Sequence, residues 1–318
     1  MEKLDIKEKS IYIVMYHYVR RIKGSSYKRL KGLEYDDFKK QIDYFTKKYN
    51  VLDIDSFLEI ITSSNFPTKP SILLTFDDGY MDHYKYVFPY LSKKNIAGFF
   101  YPPVKSIQQY EVLDVNKIHF ILEKEKNTKK ILNEMNISIK KNFNKNLNDF
   151  DIEQINLKSR FDDKETSLIK ILLQDFLPLK IRKKILPKIF EKVCNRSEND
   201  FAKELYIGEK EVKEMNKNKM VFGCHGYNHL KWQYLSKSEQ ENEIQRSIEF
   251  YNKIGIATNE FTICYPYGSY NKDSLSLSKK YNISFCLTTN FGSVNINNSG
   301  DIYTMPRIDT NYFNSVIN

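Results

Sequence analysis

Short apolar runs alternate with segments of helical spacing along most of this chain. Residues 11–19 read as a strand. Tyr35, Phe38, Ile42 and Phe45 then recur three or four residues apart, the spacing of one helix face. The run 71–76 reads as a buried strand, 84–94 as helix, and 97–101 as a strand stopped by Pro102 and Pro103. In the second half, 208–216 is helical and 221–224 is a strand. Ser236 with Glu239 three residues on is a capping-box signature, opening a helix that runs to about residue 254. A strand over 261–265, a helix over 272–281 and the alternation of Ile283, Phe285 and Leu287 complete the pattern. Strand–helix alternation of this kind predicts an α/β fold with a parallel sheet or barrel.

Between residues 111 and 204 the pattern changes. It becomes long, polar and helical, with Lys/Asn-rich joints around 142–148 and no strand signal. The expected organisation is a frame over 1–110 and 205–318, interrupted by a helical insertion over 111–204.

A chain of 318 residues can bury a large core as one barrel-sized domain or two smaller ones. The formal charge of +10 is spread along the chain, mostly as lysines in helix-like segments. Basic residues do not alternate with exposed aromatics, so the excess reads as solvated helix faces and argues against a nucleic-acid partner. No stretch approaches the length of a membrane span. The N-terminus is charged, and the apolar run after it is too short for a secretory signal core. Cys194, Cys224, Cys264 and Cys286 form no CxxC pair, which suits a reduced, cytoplasmic protein.

Two short segments carry the chemistry. Thr75-Phe76-Asp77-Asp78-Gly79 sets two carboxylates at the end of an apolar strand, and His225-Gly226-Tyr227-Asn228-His229 sets two imidazoles just after another. Strand C-termini are where barrels place their active sites. Asp78, His225 and His229 make a set of two imidazoles and one carboxylate, suited to zinc or a neighbouring divalent metal. Three protein ligands leave room for water and substrate. The second carboxylate is spare for proton transfer, and Gly79 allows a tight turn. A closed zinc site from Cys224, His225, His229 and Cys264 is disfavoured, because neighbours in a strand face opposite ways. Trp232 reads as a packing residue, His119 as structural, and His83 as a surface residue.

These segments resemble motifs of the polysaccharide deacetylases, the carbohydrate esterase family 4 or NodB-homology group. Thr75–Gly79 matches the TFDDG motif, 225–229 resembles H-[S/T]-x-x-H, and Tyr265-Pro266-Tyr267-Gly268 resembles R-x-P-[Y/F]-G. The resemblance covers about 11–104 and 206–308 and leaves out the helical middle. It implies a distorted (β/α)7 TIM-like barrel. It also implies Asp77 as general base, Asp78, His225 and His229 as metal ligands, and the Tyr267 backbone amide as an oxyanion donor. The implied reaction removes an acetyl group from an N-acetylated saccharide with a divalent metal, Zn2+ foremost, with Co2+, Ni2+ and Mn2+ as alternatives.

The chain departs from the motifs at three points. Gly226 stands where Ser or Thr is usual. Cys264 stands where Arg is usual, and Arg307 is the expected replacement. No histidine follows His229, so His17 is the expected general acid, as in members with rearranged motif order. The expected substrate is a biosynthetic saccharide precursor, nucleotide-linked or lipid-linked. Two alternatives remain: a non-catalytic glycan-binding protein that keeps the metal site, and a metal-dependent amidohydrolase acting on a non-sugar amide.

Overall fold

The computed structural model describes residues 10–63, 65, 67–155, 162–295 and 301–313. The charged N-terminal segment therefore lies outside the described residues, apart from Ser10. The chain divides into two compact units. One comprises residues 1–21, 31–109 and 204–318, the other 22–30 and 110–203.

The first unit is built on parallel strands. β1 (Ile11–Tyr16), β2 (Ser71–Asp77), β3 (Phe99–Tyr101) and β4 (Val221–Phe222) pair in that order, and a C-terminal strand, Ile308–Asp309, pairs with the other edge of β1. β5 (Ile263–Cys264) and β6 (Cys286–Leu287) form a second parallel pair. With β5 and β6 counted, Ile308–Asp309 is β7. The regular ladders are open. Single bridges, Cys224 with Ile263 and Leu287 with Met305, carry the order on from β4 through β5 and β6 to the approach of β7. Irregular joins of this kind are why the strand expected over 283–287 shortens to two residues.

Both faces of the sheet are buried, as parallel sheets require. Side chains alternate along β1: Tyr12, Val14 and Tyr16 join Phe38, Ile42 and Phe45 of α1 (Tyr35–Lys48) in one core cluster. Ile11 and Ile13 join Leu73, Phe99, Tyr101, Cys264 and Met305 in another. The expected helix face at Tyr35, Phe38, Ile42 and Phe45 is thus the face α1 turns to the sheet. α2 (Lys237–Lys253) starts at a genuine capping box: Ser236 Oγ accepts from the Glu239 amide at 3.3 Å, and Glu239 Oε2 accepts from the Ser236 amide at 2.8 Å.

The second unit is helical, and no strand occurs among its described residues. Asp114–Lys124, Thr128–Phe143, Lys164–Ile171 and Leu179–Cys194 supply a core of its own, with Ile118, Ile121, Ile131, Met135, Ile185 and Phe190 buried.

Candidate active site

Register and parity build the site. β1 and β2 place Tyr16 beside Phe76, so the next residues, His17 just past β1 and Asp77 at the end of β2, stand near each other. Alternation puts Asp77 on the face of Leu73, in the inner cluster. Arg307 lies two residues past Met305, another member of that cluster, and reaches the same space.

There Arg307 donates from Nη1 to Asp77 Oδ1 at 2.9 Å and from Nη2 to Oδ2 at 2.8 Å. The guanidinium is fixed in turn by the Thr288 carbonyl at 2.8 Å and the Thr75 hydroxyl at 3.2 Å. Burial, the largest influence, would raise the Asp77 carboxyl, but the Arg307 charge, the nearby imidazoles and the Arg307 hydrogen bonds together outweigh it and hold the group well below the ordinary carboxylate range. Burial likewise works against the Arg307 charge, and the paired carboxylate more than offsets it. His17 Nε2 stands 3.8 Å from Asp77 Oδ2, with the imidazole 42% exposed.

Asp78 turns the other way. Its backbone is left-handed (φ 68°), as is that of Gly79 (φ 66°), and a Cβ on Gly79 would come within 2.4 Å of Pro102 Cβ. Glycine is therefore required there. The Tyr80 hydroxyl donates to Asp78 Oδ2 at 2.6 Å. Oδ1 is buried with no hydrogen-bond partner. His225 Nε2 and His229 Nε2 lie 3.6 and 3.4 Å from that oxygen. His225 Nδ1 donates to the Cys264 carbonyl at 2.6 Å, which leaves the Nε2 lone pair facing Asp78. Burial lowers both imidazoles against the pull of the carboxylates, His229 to about 3, so both are neutral as ligands must be. Donors on a tetrahedral zinc stand roughly 3.3–3.5 Å apart, given bonds of about 2.0–2.1 Å. The orphaned oxygen and the two imidazoles fit a divalent cation.

A second group of donors, Asp77, His225 and Cys264, also converges. It suits a cation poorly. Both Asp77 oxygens already accept from Arg307, and burial pushes the Cys264 thiol well above its ordinary value.

The imidazole loop is braced from α2. Glu243 accepts from the Asn228 amide at 2.8 Å and from Asn228 Nδ2 at 2.5 Å. Gly226 is left-handed (φ 68°), and a Cβ there would stand 2.9 Å from Glu243 Oε2. Tyr267 is left-handed as well (φ 59°), and its half-exposed ring stands 4.8 Å from that of His229.

The family model for polysaccharide deacetylases matches residues 64–143 and 192–286, more than half of the sequence. The chain belongs to the polysaccharide deacetylase family. Its fold is similar to that of a Streptococcus pyogenes deacetylase, PplD, solved in complex with acetate (17% identity, 95% of this chain and 93% of that one, TM-score 0.57). It is also similar to IcaB from Ammonifex degensii (14%, 98% and 96%, 0.58) and the BpsB deacetylase domain from Bordetella bronchiseptica (13%, 95% and 97%, 0.51). At such identities the likeness is one of fold. No curated protein matches the sequence.

Within this deacetylase frame, all seven expected residues fall in the first unit. Asp77 meets Arg307 and His17, and Asp78 meets His225 and His229. Arg307 lies beyond the span the family model matches, just before β7, and reaches the same Asp77 oxygen that the Cys264 thiol approaches. Two residues escaped sequence reasoning, and a third was misplaced. Tyr80 supports Asp78 and Glu243 supports the 225–229 loop; the signal for Glu243 was a carboxylate on the buried stripe of α2, beside Gln240, Ile244 and Ser247. His83 was expected at the surface and is instead fully buried. Its ring packs against Phe76, Tyr80 and Phe100, because the turn after Gly79 folds back onto the sheet. Cys264 is fully buried, with its thiol 3.5 Å from Asp77 Oδ1. Cys224 points elsewhere, to Ser247 Oγ at 3.4 Å, and Trp232 is fully buried against Tyr265. His119 belongs to the helical unit.

Proposed function

We propose that this deacetylase is a metal-dependent hydrolase that removes the N-acetyl group from an acetamido sugar, releasing acetate and a free amine. The observation that carries the reading is the buried, unpartnered Asp78 Oδ1 facing two neutral imidazoles, beside a carboxylate held ionised by Arg307.

Asp78, His225 and His229 would hold the cation. When bound, a divalent metal supplies Lewis-acid polarisation of the acetamido carbonyl and acidifies water. Asp77 takes the proton of the attacking water as its oxygen bonds to the carbonyl carbon. Arg307 keeps that carboxylate ionised and fixes its plane, replacing the arginine missing at Cys264. The amide of Tyr267 donates to the oxyanion that develops. His17 then protonates the nitrogen as the C–N bond breaks, so the amine leaves neutral. Its partial exposure lets it reach substrate in the opening.

The four cysteines, all free and buried, support a reducing, cytoplasmic setting and a precursor saccharide as substrate. Acetate release from a panel of N-acetylated sugars, with Asp77→Asn beside wild type, tests the assignment. Turnover by wild type that Asp77→Asn abolishes supports it. Equal turnover by both contradicts the role of Asp77.

A further inference from the structure

His83 is a buried titratable group that the reaction above does not use. Its ring is enclosed by Phe76, Tyr80 and Phe100, with centroids 5.5–5.7 Å away. Burial lowers it to about 4, so it is neutral at working pH. One ring nitrogen makes a single specific contact: Nε2 lies 2.8 Å from the backbone carbonyl of His17. A carbonyl only accepts, so Nε2 carries the proton and donates.

That carbonyl sits where the chain leaves β1 and has lost its ladder partners. Two neighbouring contacts grip the same segment. Arg20 Nε donates to Asp82 Oδ2 at 2.6 Å. The Tyr18 ring stacks on Tyr80 at 4.1 Å between centroids, and Tyr80 is the residue that fixes Asp78 Oδ2. All of these partners follow Asp77 and Asp78 closely: Tyr80 leaves the turn, and Asp82 and His83 open the helix after it. The stretch 77–83 therefore carries the base and the proposed metal ligand at its start, and grips the His17 segment at its end.

We propose that His83 is a positioning residue for His17: with the Arg20–Asp82 pair it clamps residues 17–20 so that the His17 imidazole stands over the site. This rests on the reading of His17 as the acid. The acid matters only where the leaving group needs a proton. An acetamide expels a basic amine and needs one; an activated ester such as 4-nitrophenyl acetate expels a stable phenolate and does not.

The test compares kcat on an N-acetylated oligosaccharide with kcat on 4-nitrophenyl acetate, using metal-loaded protein. His17→Ala is expected to lose at least 100-fold on the amide and less than fivefold on the ester. His83→Phe, which keeps the ring and removes the donor, is expected to lose about tenfold on the amide with the ester rate and amide KM unchanged, and His83→Gln to recover part of the loss. Equal losses on both substrates by His83→Phe, with His17→Ala still selective, would overturn the clamp. An unselective His17→Ala would instead overturn the acid assignment beneath it. Should His83→Phe fail to fold, Arg20→Met carries the comparison from the outer end of the clamp: a selective amide loss supports the inference, and equal losses or none contradict it.

Discussion

Arg307 meets both oxygens of a buried carboxylate, and the energetics of that pair are asymmetric. Removing the cation alone leaves an unpaired buried charge, which costs about 3–5 kcal/mol. Arg307→Met should therefore lose that much in urea unfolding. Adding Asp77→Asn should return most of the stability and none of the acetate release. A double variant no more stable than the single one would show that the pair does not act as drawn. His83 makes a second prediction at this scale. Its folded pKa is lowered to about 4, against about 6.5 unfolded. Between those values the unfolded chain takes up the proton first, so stability rises with pH across the window and is lost on acidification. The loss from pH 7 to pH 4 is on the order of 3 kcal/mol. His83→Phe should lack this part of the pH slope, and matching slopes for variant and wild type would contradict it.

Among the elements, the loop at 225–229 depends on α2. Gly226 lacks the hydroxyl that the family motif usually offers, and the Glu243 carboxylate takes up the bracing from below. Support of this kind for metal ligands is worth roughly 10–100-fold in metal affinity. Glu243→Ala should weaken zinc binding by that factor in a chelator competition, and unchanged affinity would show that the loop holds itself. The elements most legible in the sequence were those with strong local signals: α1 from its apolar spacing, α2 from Ser236 and Glu239, β2 from its unbroken apolar run. The two short motifs gave Asp78, His225 and His229 for the same reason. What could not be read depends on contacts between distant elements. Arg307 was expected at the site, but its two-point contact with Asp77 depends on β7 pairing with β1 and on the parity that turns residue 307 inward. His83 is buried only because its turn folds back on the sheet. Strands of two residues, such as β5 and β6, carry too little pattern to reveal their ends.

For the whole molecule, the division into two units separates chemistry from the helical segment. All candidate site residues lie in the first unit, while the second has its own core and its own buried ion pair. Lys117, 1% exposed, pairs with Glu198 at 2.8 Å, between helices Asp114–Lys124 and Glu198–Leu205. Lys117→Ala should cost about 3 kcal/mol and lower amide-exchange protection in both helices; unchanged protection there would contradict the pair's contribution. In the proposed reaction, a cation held by Asp78, His225 and His229 in the first unit works with Asp77 as base. The most direct measurement is acetate release from an N-acetylated oligosaccharide by protein stripped with a chelator and then reloaded with zinc, for wild type and Asp77→Asn. Stripping should abolish release, zinc should restore it in wild type, and Asp77→Asn should bind zinc yet stay inactive. Release that persists in stripped protein, or in zinc-loaded Asp77→Asn, would contradict the proposed reaction.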